Sequence, residues 1–247
     1  PTSRMANHTT AAVDQDIDFT NDYRYFDVTQ PIRPSGLPGN KYAIGPALFW
    51  APAFIGVHSL LNQTGFELPY QLAVGFTNVA LALVGLLLLY NLLSKYFNTL
   101  TTHYSILGIA LATNLLFYGS IDPINTHALT FFMATMYLTL LFEKRPRWVL
   151  LGLSLGLMAT LRPQDLVYGL LLLVAVKDSP FERRVLALGL LGTGFLLAFS
   201  PQLLAWRALY GSFLTNPYII EGQTFNFLQP KILEVLFSPN HGLFLWT

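Results

Sequence analysis

Residues Leu68–Ser94 form a run without a single charged side chain. The hydrocarbon core of a bilayer is roughly 30 Å thick, and about 20 apolar residues of α-helix cross it. Backbone polar groups in lipid must pair within their own segment, so a run of this kind becomes a helix. Six further runs follow the same logic. Ala43–Leu61 carries no formal charge and holds Pro46 and Pro52, which predict a kink. Tyr104–Ile121, Pro123–Phe142 and Val185–Trp206 are long, the last bent by Pro201, whereas Trp148–Leu161 and Leu166–Val176 are short. The length rule therefore predicts an all-α, polytopic transmembrane helical bundle with about seven membrane segments.

A soluble helical core would show polar faces at a period of 3.6 residues. Leu81–Leu89 and Leu186–Leu197 show none. Only 11% of the chain is charged, against 53% hydrophobic; soluble domains carry roughly 25% charged residues. The net charge is +1, with no basic patch interleaved with aromatics, so a nucleic-acid partner is not expected. There is no cysteine, which excludes disulfides and thiolate metal sites within the chain.

Three regions follow. Residues 1–42 are polar and acidic and form an external loop; residues 43–206 form the bundle; residues 207–247 form an external loop leading into a further apolar run at Gly242–Trp246. The chain opens on Pro1 with no leader-like segment and stops inside that run, which predicts an internal piece of a longer membrane protein. Lys and Arg concentrate in Glu143–Arg147 and Lys177–Arg184, and the positive-inside tendency puts both on the cytoplasmic side. The Asp122 and Arg162 turns then fall outside. If every run crosses once, however, the acidic loop lands inside; it stays external only if the Pro-broken segment 43–66 dips in and returns, or if the short runs are miscounted.

The densest polar cluster is Asp14-Gln15-Asp16-Ile17-Asp18-Phe19-Thr20-Asn21-Asp22-Tyr23. On an extended segment Asp14, Asp16 and Asp18 share one face. Such a face can hold a divalent cation through hard oxygen ligands, present a general base, or simply be solvated. Ile17, Phe19 and Tyr23 between the acids argue that the segment packs on something. Lys41 and Tyr42 stand at the mouth of a membrane helix. They suit either a phosphate at headgroup depth or interfacial anchoring.

Asp122 and Arg162 each end an apolar helix. Ionisable groups there are costly and tend to pair, line a wet cavity or contact a substrate. His127 lies just after Asp122 and is a candidate helper. Arg162 precedes Pro163, and its planar fork suits phosphate or carboxylate recognition; Asp165 is placed to neutralise it. Gly152 and Gly156 have the small-xxx-small spacing of close helix packing. No phosphate-cradling glycine loop, His/Cys metal set or Gly-x-Ser-x-Gly elbow is present.

Taken in order, DQDIDFTNDY, GLPGNKYAIGPALFWAP, SIDPINTHALTFF, LGLSLGLMATLRPQD, SPQLLAWRALYGS and SPNHGLFLWT resemble the polytopic GT-C glycosyltransferases, in the branch of the protein mannosyltransferases, aminoarabinose transferases and RgtA/B/C/D-like enzymes. The resemblance implies transfer of one sugar, with inversion, from a polyprenyl-phosphate-linked donor to a lipid, glycan or protein acceptor. The reaction would take place at the external face of a bacterial inner membrane. It implies an acidic base from the first loop, with Asp16, Asp18 and Asp22 as candidates and Asp122 as a second acid. Lys41 and Arg162, helped by Tyr42, would hold the phosphate. A divalent metal is possible but not required, and no other cofactor is implied. In similar proteins the first-loop base often precedes the segment matching Arg4–Val13, which puts it at or upstream of Pro1 and leaves Asp16 and Asp18 shaping the site. The alternative is a transporter or flippase for a lipid or sugar. That predicts internal repeats with broken helices in matching positions; the helices at 43–61 and 185–206 are broken, but no repeat is evident.

Overall fold

The computed structural model describes residues 18–176, 180–220, 222, 229–239 and 244, so Asp14 and Asp16 lie outside the described residues. Among those residues the regular elements are all helices, and the one β feature is an isolated bridge between Ile32 and Pro38. A short helix α1 (Thr20–Tyr25) precedes α2 (Gly45–Leu61) and α3 (Leu68–Leu93). Next come α4 (Thr99–Leu111) and α5 (Asn114–Ile121), bent 58° from one another, α5 closing in a π-helical turn over Phe117–Ile121. Then follow α6 (Thr126–Leu141), α7 (Trp148–Leu161), a 3-10 helix (Pro163–Leu170) and α8 (Leu171–Val176). Beyond them lie α9 (Phe181–Tyr210), α10 (Pro217–Ile220) and α11 (Ile232–Phe237).

The boundaries have local causes. Pro46 and Pro69 sit in the first turns of α2 and α3, where the missing N–H costs nothing. Asn98 and Asn125 cap α4 and α6 by accepting from Thr101 N (2.9 Å) and Thr126 N (2.8 Å). Asn62 and Gly211 take left-handed φ values of 48° and 77° at the ends of α2 and α9. Arg162 is extended (φ −150°, ψ 113°) because Pro163 disfavours helical geometry before it, and α7 ends there.

Two helices, α3 and α9, are long and apolar enough to cross a membrane alone; the bent pair α4–α5 makes a third if it counts as one span. α2, α6 and α7 are apolar but have 17, 16 and 14 residues. By length and composition alone, two helices, or three with the bent pair, qualify as membrane spans, so the seven expected segments are not all established. The expected runs all reappear as helices with shifted ends: α4 starts earlier, at Thr99, and α9 outlasts its run on both sides, whereas α6 is shortened. Pro123 and Asn125 delay α6 to Thr126. Leucines such as Leu83, Leu87, Leu196 and Leu197 point outward, as a lipid-facing surface requires.

Direction follows from the contacts. Trp50 Nε1 donates to Asn78 Oδ1 (2.7 Å), and further along α2 Phe54 and His58 meet Tyr70, earlier on α3, so these two helices are antiparallel. Gly75 faces Pro123 and Gly85 faces Phe131 and Phe132, so α3 and α6 run the same way. Gly152 faces Leu191, and Gly156 faces Phe195 and Ala198, so α7 and α9 also run together. Around this frame Trp50, Phe54, Tyr70, Val74, Leu129, Met133, Tyr137, Leu151 and Met158 are buried in one core.

One end of the bundle collects Lys95, the Glu143–Arg147 turn and the start of α9 with Arg183 and Arg184; Tyr96 packs edge-on to Phe142 there (6.0 Å). The other end collects Asp122, Arg162 and the segment before α2. α2 starts there, with Gly45 against Thr160 and Leu161 at the end of α7. It returns through the first turns of α3 without reaching the basic end. Both ends of α2 thus lie toward the Asp122 and Arg162 end, an arrangement consistent with the expectation that segment 43–66 dips in and returns.

Candidate functional site

At the non-basic end lies a cavity of about 730 Å³, within the range of small-ligand sites. Its walls come from five stretches of chain: Lys41–Pro46, Asn125–His127, Leu161–Gln164, Trp206 and Thr215–Tyr218. Lys41, Tyr42, His127 and Arg162 are thus brought together.

Each is set by its element. Buried Asn40 accepts from Tyr42 N (3.0 Å), an Asx turn that shapes the backbone around Lys41. Lys41 Nζ lies 5.6 Å from the Tyr42 ring centre. Ile44 N donates to Gln202 Oε1 (2.9 Å), tying the start of α2 to α9. His127 follows the Asn125 cap of α6, stacks on Tyr118 of α5 at 3.9 Å and 20°, and is hydrogen-bonded to Arg162 Nη1 (3.1 Å). With its amide oxygen turned toward the guanidinium, Gln164 accepts from Arg162 Nε (2.9 Å) and Nη2 (3.0 Å). Trp206 meets Phe199 edge-on at 5.7 Å, which fixes its ring beside the cavity.

The acids lie elsewhere. Asp122 is half-buried and does not line the cavity; it reaches the wall through Asn125, whose Nδ2 donates to Asp122 Oδ2 (3.3 Å). This junction is pinned from below. Asn78, fully buried, donates from Nδ2 to the carbonyls of Pro123 and Asn125 (2.9 Å to the latter). Asp18 accepts from Thr20 N (3.0 Å) just ahead of α1, and Asp22 is buried in α1; neither lines the cavity. Their loop is nevertheless fixed at the same end. Phe19 and Tyr23 pack on Leu209, Tyr23 OH donates to Gly39 O (3.0 Å), and Ser35 Oγ donates to Leu209 O (2.6 Å). Asp165 is buried under the Arg162 turn. Burial raises its carboxyl above the ordinary value, against the opposing pull of the Arg162 charge and the Thr130 hydroxyl. Thr130 Oγ1 and Asp165 Oδ2 are both buried without a hydrogen-bond partner among the described residues. Among the described residues no three His, Cys, Asp or Glu side chains converge as metal ligands.

Sequence reasoning missed Gln164, Asn125, Asn78, Trp206 and the Thr215–Tyr218 wall. Gln164 and Asn125 stood inside conspicuous motifs, beside Arg162 and Asp122, and adjacency was the available signal. Asn78 was the polar residue in the middle of an apolar run, which calls for a buried partner.

A positively charged, partly apolar cavity at one membrane end can receive an anionic headgroup whose tail lies in lipid. Against this geometry, the sequence model described as dolichyl-phosphate-mannose-protein mannosyltransferase matches residues 59–206, more than half of the chain. No curated protein and no solved structure matches.

Proposed function

The chain belongs to the dolichyl-phosphate-mannose-protein mannosyltransferase family of GT-C-type membrane glycosyltransferases, and from that premise we propose that it moves a sugar from a polyprenyl-phosphate-linked donor to an acceptor at the external membrane face, with inversion. One observation carries the reading: Lys41 and Arg162, far apart in the chain and each at an apolar helix end, line one cavity with Tyr42 and His127.

The chemistry is straightforward. The acceptor hydroxyl attacks the anomeric carbon, the bond from that carbon to the phosphate oxygen breaks, and the phosphate leaves with the bonding electrons. The hydroxyl proton passes to a carboxylate. Positive charge already in place where the leaving group gains charge lowers the barrier without reorganisation. Lys41 and Arg162 supply it, with Tyr42 and His127 as helpers. The base must come within hydrogen-bond reach of the acceptor. Asp122 is our first candidate, one hydrogen bond behind the cavity wall; Asp16, Asp18 and Asp22 are the loop candidates, and Asp16 lies outside the described residues. The acceptor is a lipid, glycan or protein, and the membrane a bacterial inner membrane with the cavity on its periplasmic side. No metal is needed in this scheme, although one is compatible with it.

Asp122→Asn and Arg162→Ala in the full-length protein should each cut sugar transfer by at least about tenfold, the scale of losing one acid–base or charge-stabilising group. Protein levels in the membrane should be unchanged. Wild-type transfer by both variants would reject the site.

A further inference from the structure

Arginine has five N–H donors and no acceptor. In Arg162 three of them are engaged: Nη1 with His127 Nδ1 (3.1 Å), and Nε and Nη2 with Gln164 Oε1 (2.9 and 3.0 Å). The remaining two, one on each terminal nitrogen, meet no partner among the described residues. Because the guanidinium can only donate, Nδ1 must be the bare nitrogen of the imidazole. The ring is therefore neutral, with its proton on Nε2. Tyr118, stacked at 3.9 Å, holds that ring in plane. Both acceptors are thus uncharged, and among the described residues no carboxylate lies within ion-pair distance of Arg162. Arg147 is the contrast: Glu143 neutralises it at 2.7 Å.

We propose that His127 and Gln164 are positioning residues that grip Arg162 by two edges with neutral acceptors, so that a fully charged two-pronged guanidinium is presented to the phosphate of the donor. The inference rests on the function proposed above and deepens it. A loose arginine must surrender rotamer freedom when it binds an anion, and one fixed beforehand surrenders less. A carboxylate clamp would fix it equally well, but would compete with the phosphate for the same charge.

The test uses detergent-purified full-length protein and geranylgeranyl phosphate as probe, with the dissociation constant read by calorimetry and donor KM and kcat measured beside it. Gln164→Glu keeps the clamp and adds the competing charge; it should weaken binding about tenfold or more, the scale of one charge-assisted contact. His127→Ala should weaken it comparably. His127→Asn, whose Oδ1 falls where Nδ1 does, should recover most of that loss. Wild-type affinity in Gln164→Glu or His127→Ala, or no recovery in His127→Asn, overturns the proposal. If His127→Ala fails to accumulate, Gln164→Glu against Gln164→Ala decides it: the clamp stands if the glutamate binds more weakly, and falls otherwise. Wild-type binding by Arg162→Ala sinks the phosphate reading itself, whereas loss there alone, with the clamp variants unaffected, sinks only the clamp.

Discussion

Asp165 shows how burial and charge compete at a single residue. Its carboxyl sits under the Arg162 turn, where desolvation outweighs the nearby guanidinium and lifts the pKa above the ordinary value of 3.8. A carboxyl raised on folding stabilises the native state below the unfolded value, and that contribution is lost as pH rises through the folded one. Asp165→Asn does not titrate and keeps the shape. It should melt above the wild type at neutral pH, with the gap closing below about pH 4, where the unfolded carboxyl is protonated. A gap that persists in acid would point to packing rather than ionisation. The sequence placed Asp165 as the partner that neutralises Arg162, because an acid near a base in sequence suggests a pair. The structure gives that edge of the guanidinium to Gln164 instead. An uncharged amide carries little compositional signal, so it was overlooked. Lys41, Tyr42, His127 and Arg162 were legible singly, since polar groups ending apolar runs stand out; their convergence depends on how the helices pack.

Helix positions were largely legible, because uninterrupted apolar runs leave the backbone no alternative to helix in lipid. Their lengths and directions were not. The reversal of α2 depends on Trp50, Phe54 and His58 finding Asn78 and Tyr70, contacts that no run length predicts. The pairing of α7 and α9 was half visible in the spacing of Gly152 and Gly156. In the structure a Cβ on Gly152 would fall on the Leu191 carbonyl, and one on Gly194 on the Val149 carbonyl. Side chains there force the backbones apart, and small residues are what permit close approach without a hydrophobic driving force. Gly152→Val and Gly194→Val should therefore lower the melting temperature of the purified protein, by several degrees each if overpacking costs about 1–3 kcal/mol. Gly189→Ala and Gly192→Ala, on the same helix with nothing near the added carbon, should melt as the wild type does. Equal effects at all four positions would mean that helix propensity, not contact, is what the glycines control.

For the whole molecule, the segment before α2, the Asp122 and Arg162 junctions and the stretch after α9 share one end, opposite the basic turns. The absence of cysteine from these 247 residues makes this testable by labelling. In a cysteine-free full-length background, Thr29→Cys and Ser212→Cys should react with an impermeant maleimide from one side of sealed vesicles, and Lys144→Cys from the other. Labelling of Thr29→Cys together with Lys144→Cys would mean that α2 crosses the membrane. The general class of molecule was plain in the sequence, whereas the meeting of five remote stretches around one cavity was not. That scattering carries a consequence for biogenesis. During synthesis the anchoring cations emerge early, yet the enclosure around them is finished only when the Trp206 and Thr215–Tyr218 pieces arrive. A half-made polypeptide thus offers incoming lipid no sealed chamber, and truncation shortly after α9 begins should abolish cargo retention outright rather than weaken it by degrees.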